Sequence, residues 1–228
     1  MRDFKLPESG PKRKLFDAAA CLFAERGFQA VSVRDICAAA GTNIAAVNYH
    51  FGSREGLLGL VAADHLAPLN DERLLRLEVL EKNWGGKPVP LEEILDAFVR
   101  PIVTRSQKSG LSEVLYCRLL GLIFQENPEI FSNGLHAQSV ALMDRFKRLF
   151  VKTVSSLSEE ELEGRIQLMV GCLIHLLVRP GGVRDDGKVG LEGILGRFIR
   201  FSAAGLRGGV SVEVEPEKKV GPQAMFDF

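Results

Sequence analysis

Apolar residues recur three and four positions apart over almost the whole chain, the spacing of amphipathic helices, and only "VSVEVE" near the end alternates as a strand would. Between residues 12 and 26, Leu15, Ala19, Leu22 and Phe23 share one face. Gly27 stops that helix where a left-handed residue fits, and Phe28 is placed to fold back onto its last turn. "SVRD" at Ser32 sets a hydroxyl three residues before a carboxylate, a capping box that opens a second helix ending at Gly41. Asn43 caps a short third helix that runs through Phe51. Only "GTN" separates helices two and three, which forces a sharp corner and predicts a helix-turn-helix.

Ser53 caps a longer fourth helix, bent or interrupted near Pro68 and exhausted at a Gly/Pro loop over residues 83–90. Five more helices follow from the periodicity, at about residues 91–108, 111–126, 128–155, 158–179 and 190–207. The predicted fold class is all-α with about nine helices. It divides into an N-terminal three-helix unit (residues 1–52), a helical body (53–207) and a loose tail (208–228).

Composition changes this picture little. Lys+Arg and Asp+Glu each number 29, so no global field attracts a polyanion, and any nucleic-acid site has to be local. The N-terminus lacks the apolar core of a signal peptide. The longest apolar run, "LMVGCLIHLLV", is too short to span a bilayer, which predicts a cytoplasmic protein with no membrane partner. Cys21, Cys37, Cys117 and Cys172 form no C-x-x-C pair and read as small buried thiols. Neither His65 nor His175 has the neighbours of a metal ligand, so no metal and no cofactor is expected.

On the third helix, Val47 and Phe51 lie four apart and face inward, leaving Ala45, Ala46, Asn48, Tyr49 and His50 outside. The alanines permit close approach to another surface. Asn48 suits a base edge or a phosphate, while Tyr49 and His50 suit phosphate oxygens. Ile44 is either a core residue or a contact to a thymine methyl. Lys12, Arg13, Lys14, Arg34 and Arg54 are placed to flank a helix lying in a major groove. An enzyme built on Tyr49, His50 or the cysteines is disfavoured, since no nucleophile elbow, phosphate-binding loop or zinc-protease motif is present. A helical interaction protein with a vestigial DNA unit is opposed by the retained Asn48, Tyr49, His50 and Arg54.

The segment "KLFDAAACLFAERGFQAVSVRDICAAAGTNIAAVNYHFGSREGLL", residues 14–58, resembles the DNA-binding domain of the TetR family of bacterial transcriptional repressors. The resemblance implies a three-helix unit that reads double-stranded operator DNA and an all-helical C-terminal domain that binds a small-molecule inducer and forms a homodimer. It assigns Arg34 to backbone or base contact, Ile44, Ala45, Ala46, Asn48 and His50 to the groove, and Tyr49 to phosphate. Arg54 takes the phosphate grip that is usually a lysine's. Thr42 and Asn48 depart from the commoner family residues, so the average operator does not carry over.

A single helix-turn-helix reads few base pairs, which makes a twofold dimer mechanistically expected. The last two helices are apolar over more than one stripe, and Leu173, Ile174, His175, Leu195, Phe198 and Ile199 are the expected interface, with Gly164, Gly171, Gly193 and Gly196 allowing close crossing. Phe98, Ile102, Tyr116, Ile123 and Phe146 suit an ordinary core as well as a pocket. The family resemblance is what implies a cavity among them, with Arg118 and His136 as candidate polar anchors.

Overall fold

The three-residue corner and its caps form as the residue types require. In the computed structural model, which describes residues 9–126, 133–179 and 190–209, Ser32 and Asp35 close a reciprocal capping box. The Ser32 amide donates to the Asp35 carboxylate at 2.8 Å, and the Asp35 amide donates to Ser32 Oγ at 3.2 Å. The Ser32 hydroxyl, which donates to the same carboxylate at 2.5 Å, and then the Ser32 amide hold the Asp35 carboxyl below its usual range. Gly41 takes the left-handed conformation (φ 64°), and Asn43 Oδ1 accepts from the Ala46 amide at 3.0 Å. The Phe28 ring returns edge-on to Phe23, 5.3 Å between centroids.

Among the described residues there are nine helices and no strand: α1 (Pro11–Arg26), α2 (Val33–Ala40), α3 (Ile44–Phe51), α4 (Arg54–Trp84), α5 (Leu91–Ser106), α6 (Glu113–Gln125), α7 (Asn133–Thr153), α8 (Glu159–Val178) and α9 (Leu191–Arg207). The strand-like "VSVEVE" and the first turn expected for α7 lie outside the described residues.

Of the two outcomes expected near Pro68, a bend or an interruption, the interruption does not occur: α4 is one helix of 31 residues. Proline withdraws only its own N–H from the Asp64 carbonyl, and the turns on either side are held by buried Leu66, Leu69 and Leu77. At 1.5 Å per residue the helix is about 46 Å long, enough to reach from the N-terminal unit through the body. In the body α5 packs on α4 and α9, and α6 packs on α8 and α1.

The closest crossing lies where the sequence reading did not place it. A Cβ on Gly121 of α6 would sit 2.5 Å from Val178 Cγ2 and 3.1 Å from Leu177 Cβ of α8. Among the described residues, a Cβ on Gly164 or Gly171 of α8 would instead meet nothing within 4 Å, and one on Gly196 of α9 would meet only the Arg200 guanidinium at 3.7 Å. Arg100 ties α5 to α9 by bonding both Asp96 and Glu192 at 2.6 Å.

Cys37 and Cys117 are buried and Cys21 and Cys172 half-buried, all as free thiols; burial pushes Cys117 up to about 12. Among the described residues no helix is long and apolar enough to cross a membrane.

Candidate nucleic-acid interface and interhelical cavity

Two residues fix the orientation of α3. Val47 is fully buried and Phe51 nearly so, one turn apart on the inner face. What remains points away from the core: Tyr49 is 85% exposed, Ile44 45%, and Asn48 and Ala45 are exposed as well. Ile44, ambiguous in the sequence, lies outward. Ala46 is half-buried against the core, and His50 is half-buried between two rings, 5.0 Å from Tyr49 and 6.1 Å from Phe51. The face therefore combines an amide, a phenol and an imidazole above small residues that keep nothing between the helix and an approaching surface. Arg34 is exposed in the first turn of α2. Lys12 Nζ lies over the Phe51 ring, 5.9 Å from its centroid, and Arg13 pairs with Asp17 at 2.8 Å.

Arg54 has partners that the sequence did not reveal. Its Nε donates to the Val31 carbonyl at 2.8 Å, another guanidinium nitrogen donates to the Phe28 carbonyl, and the group lies 5.8 Å from the Phe23 ring. The first turn of α4 is thereby fastened to the loop between α1 and α2. Ser53 caps the same turn by accepting from the Gly56 amide at 3.0 Å. A Cβ on Gly56 would lie 2.3 Å from the Phe51 carbonyl oxygen, so α4 starts in direct backbone contact with the end of α3.

In the body, a cavity of about 390 Å³ opens between α4, α5, α6, α7 and α8. Of the six expected pocket residues, Phe98 and Ile123 line it. Phe146 stands behind Phe98, edge-on at 5.2 Å. Ile102, Tyr116 and Arg118 do not line it: Ile102 is core, and Tyr116 turns toward His65, 5.8 Å ring to ring, where burial raises its phenol far above the ordinary value. Arg118 of α6 is half-buried, and its Nε has no hydrogen-bond partner among the described residues. His136 does line the cavity.

Three other polar groups inside this cavity were missed. Asn70 and Arg73 of α4 are 2% and 3% exposed, and both line the void together with Ser139 of α7. Arg73 Nε donates to the Phe98 carbonyl at 2.9 Å, and its guanidinium lies 4.2 Å from the centre of the Phe98 ring. Nη1 reaches Asn70 Oδ1 at 3.5 Å, and Asn70 Nδ2 donates to Ser139 Oγ at 3.0 Å. Burial pulls the Arg73 pKa down to about 10, which still leaves it a cation at neutral pH. A signal was available: Leu66, Asn70, Arg73 and Leu77 follow the spacing of one buried face, so two polar residues interrupt an apolar stripe.

The expected dimer residues divide. Leu173, Leu195, Phe198 and Ile199 are buried within this chain and offer no surface to a partner, Ile174 lines the cavity, and His175 is exposed. α8 and α9 each have two apolar faces, and the broader one packs on α6 and α5, respectively. The narrower faces leave Leu168 76% and Phe201 71% exposed. Arg165 joins the two helices, bonding Glu161 at 2.7 Å and the Gly205 carbonyl at 2.7 Å.

Comparison with known proteins agrees with this layout. Residues 15–61 match the model of bacterial regulatory proteins of the tetR family, and residues 96–205 match that of a tetracyclin repressor-like C-terminal domain. Over 51 residues the chain is 47% identical to the HTH-type transcriptional repressor KstR2 of Rhodococcus jostii (strain RHA1), a match spanning 22% of this chain and 25% of that relative. Two solved structures share the fold. PfmR from Thermus thermophilus is 21% identical, with 85% of this chain and 97% of that one covered and a TM-score of 0.54. AmtR of Mycobacterium smegmatis is 17% identical, with 90% of each chain covered and a TM-score of 0.56.

Proposed function

The chain belongs to the TetR family of bacterial regulatory proteins and is a helix-turn-helix transcriptional regulator, and we propose that it is a repressor that grips a palindromic operator as a homodimer and is released by a small-molecule inducer. The observation that carries the reading is the outward face of α3, where Asn48 and Tyr49 stand exposed above the buried Val47 and Phe51. A helix held that way fits the major groove, with Ile44, Ala45 and Ala46 against base edges, Asn48 and His50 in hydrogen-bonding reach, Tyr49 on phosphate and Arg34 on the flanking strand. Arg54 acts differently from the family's usual lysine: it secures the base of α4 through two carbonyls.

Residues 1–52 form the reading unit in this scheme, and residues 53–207 the inducer-binding and dimerisation body. The cavity is the inducer site. The exposed Leu168 and Phe201 on α8 and α9 supply the dimer face, with Gly164 and Gly171 admitting the partner's backbone. Two reading units then address half-sites about 34 Å apart. The inducer acts only through the difference in its affinity for the operator-competent and incompetent arrangements. Repression as the sign of control is supported by the KstR2 likeness.

The test is capture of genomic fragments on the purified protein, followed by footprinting and by mass measurement of the free protein. Two protected half-sites one helical turn or a multiple apart, bound by a dimer, are expected. A monomer that protects a single asymmetric site contradicts the reading.

A further inference from the structure

The Arg73 network is complete except for one group. Ser139 Oγ donates to the Leu135 carbonyl at 3.0 Å and accepts from Asn70 Nδ2, Asn70 Oδ1 faces Arg73 Nη1, and Arg73 Nε is held by the Phe98 carbonyl. Each bond fixes the orientation of the next. Arg73 Nη2 alone is left, buried and without a hydrogen-bond partner among the described residues. A buried guanidinium with an unmet donor is costly, and the π-face of Phe98 offsets that cost only in part. Such an arrangement is preorganised for an anion.

We propose, resting on the reading of the cavity as the inducer site, that the inducer is an organic monocarboxylate: its head group binds Arg73 Nη2, and its apolar body lies along Phe98, Ile123, Leu142 and Leu173. The walls set the class. The cavity of about 390 Å³ is near the lower end of the roughly 300–1,000 Å³ usual for small-molecule sites, and most of its lining is apolar. One free nitrogen answers one carboxylate oxygen. Glu126 and Asp144 also line the cavity, and their charge works against a phosphate ester carrying close to two negative charges.

The test compares straight-chain acids from acetate to decanoate with their primary amides, each titrated into the full-length protein and read by thermal shift and calorimetry. Short members fit whatever the shape of the natural ligand. The acids are expected to bind about tenfold to a hundredfold more tightly than the matching amides, the span of one charge-assisted hydrogen bond. Arg73→Met is expected to abolish that preference while still shifting operator DNA, which shows that it folds. Arg73→Lys keeps the charge but loses the grip of Nε on the Phe98 carbonyl, and is expected to retain a reduced preference. Equal binding of acid and amide by the natural chain, no binding of either, a preference that survives Arg73→Met, or stronger stabilisation by inorganic phosphate would each overturn the proposal. The two readings fail separately. Arg73-dependent acid binding that leaves the operator complex intact keeps the carboxylate site and removes the inducer role; release of operator by a neutral compound in the same cavity does the reverse.

Discussion

The outer face of α3 and the inner end of the Arg73 side chain both present polar groups to a partner, but under opposite conditions. Tyr49 and Asn48 stand in water, which satisfies them until another surface displaces it. Arg73 is buried beside Phe98, Asn70 and Phe124, and its orientation is fixed in advance by the Phe98 carbonyl. An exposed site gains affinity from many weak, screened contacts, whereas a buried one gains it from a single contact in a low dielectric. In the proposed scheme one chain holds a salt-sensitive site and a salt-tolerant one, and Arg73 lies about 28 Å along α4 from its first residue, Arg54, at 1.5 Å per residue.

Salt gives the widest separation. Raising it from about 50 to 200 mM is expected to weaken operator binding on the order of a thousandfold, by release of condensed counterions, and to change acid binding in the cavity by less than about threefold. Gel shifts and calorimetry across the series measure both, and parallel slopes would erase the distinction. Next, Tyr49→Ala combined with His50→Ala is expected to cost about a hundredfold in operator affinity at nearly unchanged melting temperature. A folded double variant that shifts its own upstream DNA at the same concentration would remove these residues from the interface.

Arg54 sharpens the boundary between the two kinds of site. Arg54→Ala is expected to lose about 2 kcal/mol of stability in urea titration, from two bonds between a charged donor and backbone carbonyls. Arg54→Lys, which cannot span both carbonyls, is expected to leave that loss mostly in place. Full restoration by lysine would return the residue to the role of a phosphate grip.

The smallest effect is one of pH. Burial holds the His65 pKa below its ordinary 6.5, against the opposing charge of Asp64. The unfolded chain therefore binds the proton more readily, and stability falls as pH drops below about 6.5 until the folded value is passed. His65→Phe is expected to flatten that part of the stability curve, and an unchanged slope between pH 6.5 and 5.5 would exclude His65 as its source.

The N-terminal unit is legible in the sequence because its instructions are local. Ser32 with Asp35, Asn43 with Ala46, and Phe23 with Phe28 act within three to five residues of each other, and Val47 with Phe51 settles which way α3 faces. The helices of the body are equally legible, since periodicity needs no knowledge of neighbours. Their rotation is not. Ile102 is as apolar as Ile123, and Tyr116 carries as large a ring as Phe98, and only the arrangement of five helices decides which pair meets the void. The same limit sent Leu195 and Phe198 to the interface when they fill the interior, and hid the close contact at Gly121. The anchoring contacts of Arg54 were hidden for a related reason: its carbonyl partners are 23 and 26 positions away.

Gly56 leaves the elbow between α3 and α4 without slack. Because any side chain there would collide with the Phe51 carbonyl, the first turn of α4 sits directly against the end of α3, and in the proposed scheme the two helices turn together. Over a lever of about 28 Å, a swing of roughly five degrees carries the tip by about 2 Å, a sizeable part of a base-pair step. In the proposed scheme one tight joint is then enough to pass the signal, with no segment required to melt or refold.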